Sequence, residues 1–274
     1  MKLQNIFKLQ FSPLNFKGGL LILTGLFLLS SCEEVIELNL ENADPKIVIE
    51  GNVNDQLENQ YVKISKTIPF NTSNSFNGLK GAKVTLSTAG SSPIAFLEVE
   101  DGIYKSAPFK GIPGKTYKLE VLAEGKVYTA ESTMPLPVIP DSVGFKTLNF
   151  FGNKNIYPTV FYKDPANIQN QYRYILKINN KFQSDIVFED RFNDGNKVSD
   201  IIIYDGDDIK SGDIVDIEMQ SIDRKVFKYY FAISQIDGNG GPPVAPANPD
   251  SNFDNGALGI FSAYTKSNLS IKIK

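Results

Sequence analysis

Cys32 is the only side chain of this sequence that could act as a thiol nucleophile or a thiolate ligand. The 274-residue chain contains one cysteine and no histidine. Ser-His-Asp and Cys-His catalysis in their usual form and His-ligated zinc all need histidine, and a disulfide within the chain needs a second cysteine. Modification of Cys32 and the chemistry of the 31 acidic side chains both remain possible.

Two acidic stretches could offer oxygen ligands to a hard cation such as Ca²⁺. They are EDRFNDGNKVSD (189–200) and YDGDDIKSGD (204–213). The EF-hand spacing fails in the second stretch, because Ile209 takes a ligand position and Lys210 takes the position of the turn glycine. Solvated hairpin turns are therefore the favoured interpretation, and we predict neither a metal site nor a cofactor.

Paired carboxylates could also support glycoside hydrolysis, which requires two of them at a separation of about 5–9.5 Å. With 31 acidic residues, some pair meets this condition by chance. We therefore predict no catalytic residues, and a carboxylate-based hydrolase is the least favoured function class.

The segment before Cys32 is typical of a signal peptide. Three lysines give it a basic start: Lys2, Lys8 and Lys17. Residues 18–29 are apolar except for Thr24, a length that suits a signal-peptide core and is short of the ~20 residues of a membrane-spanning helix. The sequence Leu-Ser-Ser-Cys that ends at Cys32 resembles the lipobox of bacterial lipoproteins, whose cysteine is acylated. An ordinary secretory signal or a buried first helix is the alternative.

Cleavage before Cys32 would leave residues 32–274 with 25 basic and 31 acidic side chains, a net charge of −6. This charge argues against nucleic acid as a partner and against electrostatic docking on an anionic membrane. Attachment to a membrane would come from lipid chains on Cys32, and stable anchoring takes more than one chain.

The rest of the chain has the pattern of short β-strands separated by turns. Residues 46–132 contain six candidates: 46–53, 61–68, 82–88, 94–99, 116–122 and 126–132. The proline-rich segment MPLPVIPDS (134–142) predicts a boundary. We therefore expect an all-β protein with two immunoglobulin-like β-sandwich domains in tandem, at 32–137 and 138–274.

The second half continues this pattern with one exception. Strand-like segments lie at 142–151, 157–164, 171–179, 186–192, 198–204, 213–222, 256–264 and 268–274. Apolar residues recur at helical spacing in 223–236, which predicts a short helix with Asp223 as its N-cap. A long strand is the alternative.

Residues 237–255 form a proline- and glycine-rich stretch without periodicity. We expect an ordered loop, and two interpretations carry equal weight. In the first, Pro242, Pro243 and an exposed Phe253 form a partner-binding surface flanked by Phe261 and Tyr264. In the second, the loop only covers the edge of the second sheet.

Several stretches in order resemble a surface-lipoprotein family of Bacteroidota, the domain of unknown function 4249. They are SCEEVIEL, IVIEGNV, GAKVTL with DGIYKS, GKTYKLEV, MPLPVIPDS, YKDP with YRYIL, GDIVDIEMQSID with YYFAI, and NPDSNFDNGALGIFSAY. Members are often encoded beside TonB-dependent outer-membrane transporters, and the family brings no catalytic residues.

The resemblance implies a non-catalytic accessory protein that is anchored through Cys32 in the outer membrane and exposed at the cell surface. It would bind a TonB-dependent β-barrel transporter, the ligand of that transporter, or both. Glu33 and Glu34 resemble a surface-export signal, although Val35 does not extend the acidic run. A structural or adhesive surface module is the alternative.

Overall fold

A computed structural model describes residues 44–69, 76–150, 153–191, 194–236 and 249–274. All structural statements below concern these residues. The predicted leader, Cys32, Glu33 and Glu34 lie outside them, as do Pro242 and Pro243.

Strands make up most of the described chain, which confirms the prediction of an all-β protein with one helix. The elements are β1 (Ile47–Asn54), β2 (Tyr61–Lys66), β3 (Lys83–Thr88), β4 (Ile94–Glu100), β5 (Ile103–Ser106), β6 (Thr116–Ala123), β7 (Lys126–Thr133), β8 (Ser142–Phe150), β9 (Asn153–Lys163), β10 (Gln171–Ile178), β11 (Lys181–Glu189), β12 (Lys197–Ile201), β13 (Ile214–Ile222), α1 (Arg224–Ile236) and β14 (Leu258–Lys272).

The strands form two sheets. Eleven of them follow the order β11-β10-β13-β14-β1-β2-β5-β4-β3-β6-β7, and the other three follow the order β12-β9-β8. Among the described strand pairs, β1 with β14 is parallel, with Val48 opposite Leu258, and the others are antiparallel. The fold therefore joins its first strand to its last.

The strand β14 has two partners along its 15 residues. Its first part, up to Tyr264, pairs with β1. Its second part, from Thr265, pairs with β13. This single strand therefore connects the half of the sheet built from residues before the proline-rich segment to the half built from residues after it.

Side chains alternate between buried and exposed positions as the sequence predicts for half-buried strands. In β6, Tyr117, Leu119 and Val121 are buried and the residues between them are exposed. In β10 the same period buries Tyr172 and Tyr174. These alternating side chains line the hydrophobic clusters of the two halves.

The predicted boundary falls where buried residues change from one hydrophobic cluster to another. Met134 belongs to the cluster of the first half and Val138 to that of the second. Phe261 and Ala263 of β14, however, belong to the first cluster. The boundary itself stays a prediction, and the two clusters share the strand β14.

Two differences change the number of strands that the sequence predicts, and one shifts a strand: β11 runs from Lys181 to Glu189, not over the predicted 186–192. The strand β5 was not among the six expected in the first half, because its four residues are too few to show a period of two. The two segments predicted at 256–264 and 268–274 are one strand, β14. The polar residues between them continue the strand because they pair with β13.

The helix α1 begins where predicted, and Asp223 is its N-cap. The backbone N–H groups of Lys225 and Val226 donate to Asp223 Oδ1 at 2.9 and 3.0 Å. Asp223 Oδ2 accepts a hydrogen bond from Ser132, whose Oγ accepts from the backbone N–H of Ala263 at 2.9 Å. One hydrogen-bonded chain thus ties α1 to β7 and β14. Within the described residues no helix has the length and apolarity to cross a membrane.

Gly259 provides a test of the pairing between β1 and β14. It has φ +95°, and a Cβ atom there would lie 2.1 Å from the carbonyl oxygen of Ile49. We expect Gly259→Ala to lower the free energy of unfolding by about 1–2 kcal/mol for the backbone conformation and by about 1–3 kcal/mol more for the clash. Urea unfolding followed by circular dichroism measures this change.

Gly256→Ala is the matched control for this prediction. Gly256 also has a positive φ, +78°, but nothing lies within 4 Å of an added Cβ atom. In Gly256→Ala the free energy of unfolding should therefore fall only by the contribution of the backbone conformation. Equal losses in the two variants would contradict the close approach of the strands.

Candidate functional site

A polar cleft of about 320 Å³ lies where β14 passes the carboxyl end of β1 and the start of β2. Its lining residues come from β1, from the β1–β2 turn, from the start of β2 and from the middle of β14: Asn52, Asn54, Glu58, Asn59, Gln60, Tyr61, Tyr264 and Lys266. Because the parallel pairing of β1 with β14 brings residues from the two ends of the described chain together, this cleft exists only in the folded protein.

Two buried polar side chains fix the turn that forms the cleft wall. Asn54 and Gln60 are 5% and 1% exposed. The Asn54 N–H donates to Gln60 Oε1 at 3.0 Å, and the Gln60 N–H donates to Ser106 Oγ at 3.0 Å. Since buried groups with satisfied hydrogen bonds rigidify their surroundings, the cleft is largely preformed.

An ion pair supplies the charge of the cleft. Lys266 Nζ donates to Glu58 Oε1 at 2.7 Å, and Asn54 Nδ2 donates to the same oxygen at 2.7 Å. The hydrogen bond from Lys266 is the main cause that lowers the pKa of Glu58, against the opposing effect of burial. The cleft therefore presents one cation and one carboxylate side by side.

Aromatic and amide groups complete the lining. Tyr61 is 44% exposed, while Tyr264 is buried, which raises the pKa of its hydroxyl. Asn59 is held by a hydrogen bond from its Nδ2 to the Ser106 carbonyl at 2.8 Å. Amides, an exposed tyrosine and a charge pair together suit a small polar ligand rather than an apolar one.

The predicted exposed anchor, Phe253, is buried, so that prediction is wrong. Phe253 is 7% exposed and packs in the first hydrophobic cluster, because its backbone forms a β-bridge with Ala130 of β7. Phe261 and Tyr264 are also buried, in β14. Only Tyr264 reaches the cleft.

Residues 252–255 lie along the edge of β7 in the first half of the fold, whereas one of the two interpretations places the loop over the edge of the second sheet. Asp254 accepts two hydrogen bonds from Thr129, from its N–H and its Oγ1, both at 2.6 Å. Asn255 Nδ2 donates to the Val127 carbonyl at 2.7 Å. The described end of the predicted loop is therefore ordered and bound to its own chain. The sequence signal was the run of Asn and Asp side chains, which commonly bond nearby backbone groups.

Three carboxylates meet at a second place, in the second half of the fold. Asp164, Asp190 and Asp194 each place an oxygen within 4.8 Å of the others. Asp164 follows β9 and accepts a hydrogen bond from Tyr172 at 2.8 Å, while burial raises its pKa. Sequence analysis missed this cluster because Asp164 lies far from the first acidic stretch along the chain. The second stretch forms exposed turns at Asp205 to Asp208.

The electrostatics of the cleft yield a direct prediction. In Lys266→Met, Glu58 loses the hydrogen bond that lowers its pKa, so we expect that pKa to rise toward or above the ordinary value of 4.5. In the wild type, Glu58 contributes stability above its unfolded pKa, and this contribution is lost as pH falls through the lowered folded pKa. The variant should lose less stability on acidification. ¹³C NMR titration of the Glu58 carboxyl measures the shift.

Lys272→Met is the control, because Lys272 lies at the exposed end of the same strand. An unchanged Glu58 pKa in Lys266→Met, or an equal rise in both variants, would show that Lys266 does not control the charge of the cleft.

Comparison with known proteins identifies a family but no named relative. A family model described as "Domain of unknown function (DUF4249)" matches residues 33–270. The search of curated proteins found no match. The matched region includes β1 to β13, the helix, β14 up to Ser270, the polar cleft and the carboxylate cluster. Since the match spans most of the 274 residues, this chain belongs to the DUF4249 family.

Proposed function

We propose that this protein is a non-catalytic, lipid-anchored accessory protein of a TonB-dependent nutrient uptake system, located at the outer membrane and exposed at the cell surface. It binds the ligand in the polar cleft, and it contacts the transporter. The cleft is the observation that carries the proposal, because it favours a binding protein over a purely structural or adhesive module.

The lining of the cleft favours binding over hydrolysis. Within the described lining, Glu58 is the one carboxylate, and it is committed to an ion pair with Lys266. Glycoside hydrolysis by the usual route needs two carboxylates, one of which holds a proton near neutral pH. A lowered pKa at Glu58 is the opposite of what a general acid requires.

The anchor rests on the sequence around Cys32. The basic start, the short apolar run and the Leu-Ser-Ser-Cys end form a coherent lipoprotein signal. Acylation would use the only thiol of the chain, which explains a lone cysteine in a protein that stabilises itself without disulfides. Glu33 and Glu34 directly after the anchor support export to the cell surface.

The transporter contact rests on the family resemblance and on the proline-rich residues that include Pro242 and Pro243. Prolines reduce the conformational entropy that a segment loses when it binds. Because Phe253 belongs to the core, these two prolines are the part of the predicted surface to be tested. Phe253 is kept intact in that test.

The proposal predicts that the full chain, expressed in a Bacteroidota host, incorporates an alkyne fatty acid and remains in the outer membrane. Cys32→Ser should lose the label and leave the membrane fraction. Affinity capture from detergent-solubilised outer membrane, followed by mass spectrometry, should enrich a TonB-dependent β-barrel with the wild type. Replacement of Pro242 and Pro243 by Ser should reduce that enrichment while the melting temperature stays unchanged.

The lipid anchor and the transporter contact can fail separately. Equal labelling of the wild type and Cys32→Ser would rule out the lipid anchor. Normal labelling without enrichment of a transporter would favour the structural or adhesive module. Unchanged enrichment in the double proline variant would place the transporter contact elsewhere on the protein.

A further inference from the structure

Three carboxylates converge where the chain passes between its two sheets, and the strand register places Asn170 directly opposite one of them, Asp190. We propose that Asp164, Asp190 and Asp194, together with the side-chain oxygen of Asn170, form a calcium-binding site. This inference does not depend on the lipid anchor or on the polar cleft.

The three carboxylates are close enough to share one ion. Their oxygens lie within 4.8 Å of one another. Calcium binds oxygen at about 2.3–2.6 Å, so two ligands on opposite sides of one ion are about 4.6–5.2 Å apart. The existing separations therefore fit a single calcium ion without rearrangement of the backbone.

The loops that carry these carboxylates are already held in place. The Asn167 N–H donates to Asp194 Oδ1 at 2.6 Å, and the Gly195 N–H donates to Asp164 Oδ2 at 3.3 Å. The Asp164 N–H donates to the Asn196 carbonyl at 2.9 Å. The two connecting segments are thus linked to each other, which limits the entropy that ion binding must overcome.

The buried side-chain oxygen of Asn170 also indicates a bound ligand, and this observation does not depend on the carboxylates. It is 7% exposed, and within the described chain its Oδ1 is fully buried without a hydrogen-bond partner. Buried side-chain oxygens normally have a partner, and each exception calls for an explanation such as an ion.

The strand register aims Asn170 at the carboxylates. The Asp190 N–H donates to the Asn170 carbonyl at 2.9 Å, which continues the antiparallel register of β10 and β11 by one residue. Residues directly opposite each other in such a pair project from the same face. Asn170 and Tyr172 also share a face, because they are two residues apart. Tyr172 reaches Asp164 on that face.

A bound cation would satisfy the unpaired side-chain oxygen of Asn170 better than a hydrogen-bond donor from the carboxylate cluster would. Ionised carboxylates only accept hydrogen bonds, so they cannot satisfy an amide oxygen that faces them. Amide oxygens are ordinary calcium ligands alongside carboxylates. One ion would therefore satisfy Asn170 and neutralise much of the charge of the three aspartates.

The ligand types select calcium among common metals. All four ligands are hard oxygen atoms, whereas zinc and copper sites favour nitrogen and sulfur ligands. Magnesium demands a nearly ideal octahedron at about 2.0–2.1 Å and usually keeps several waters. Three carboxylates and an amide from separate segments suit the flexible coordination of calcium.

The position of the site gives it a structural consequence. Asp164 follows β9 of the three-stranded sheet, and Asn170 precedes β10 of the large sheet. Asp190 follows β11, and Asp194 precedes β12. An ion would therefore join two of the connections between the sheets, β9–β10 and β11–β12. Because the unfolded chain does not hold these ligands together, bound calcium should stabilise the folded state.

The test uses the full chain, purified in mild detergent, after treatment with EDTA and dialysis. Isothermal titration with CaCl₂ should give one site per chain. Calcium at about 100 times its dissociation constant should raise the melting temperature by about 5–10 °C. Asp194→Asn should weaken calcium binding at least about 10-fold, and its exposed position makes the variant safe for folding.

Two matched variants complete the experiment. Asn170→Ala should also weaken calcium binding, whereas Asp208→Asn, in the exposed second acidic stretch, should leave the affinity unchanged. The absence of both heat and thermal shift in the wild type would overturn the proposal. So would equal affinities in the wild type and Asp194→Asn, or a magnesium-induced shift as large as that of calcium.

Discussion

The parallel pairing of β1 with β14 is the interaction on which the rest of the structure depends. It joins the first and last strands, which are separated by nearly the whole folded chain, so the loop-closure entropy must be overcome by contacts formed at the junction. Two glycines make those contacts possible. Gly259 lets the backbone approach the Ile49 carbonyl, and Gly51 leaves room for the side chains of Leu119 and Phe261.

Both halves of the protein pack against β14, the second strand of this pair. The side chains of β14 contribute Phe261 to the first hydrophobic cluster and Leu269 to the periphery of the second. The same strand places Tyr264 and Lys266 in the polar cleft. A polar cleft assembled from the first and last strands of the described chain is thus a direct result of the strand order, and it forms only when the sheet is complete.

The sequence predicted the elements well because their physical signal is local. Alternation in β10 and the N-cap at Asp223 can both be recognised from neighbouring residues. Residues that act through distant partners were missed. The sequence predicts an exposed Phe253, because no residue near it indicates its β-bridge to Ala130, which lies in another part of the chain.

The two candidate sites illustrate the same limit. Glu58 and Lys266 form an ion pair across the pairing of β1 with β14, and Asp164 and Asp190 meet because two connections cross between the sheets. No spacing along the chain encodes either meeting. Composition could exclude chemistry that needs histidine, but the contacts that favour a binding function required the topology.

Hydrogen exchange in increasing urea, followed by mass spectrometry, tests most directly whether β14 couples the two halves. Peptides from β6 and β13 report on the two hydrophobic clusters. If one strand ties the clusters together, both peptides should exchange through one opening with the same free energy and the same urea dependence. Two openings with different free energies, one for each peptide, would contradict the account.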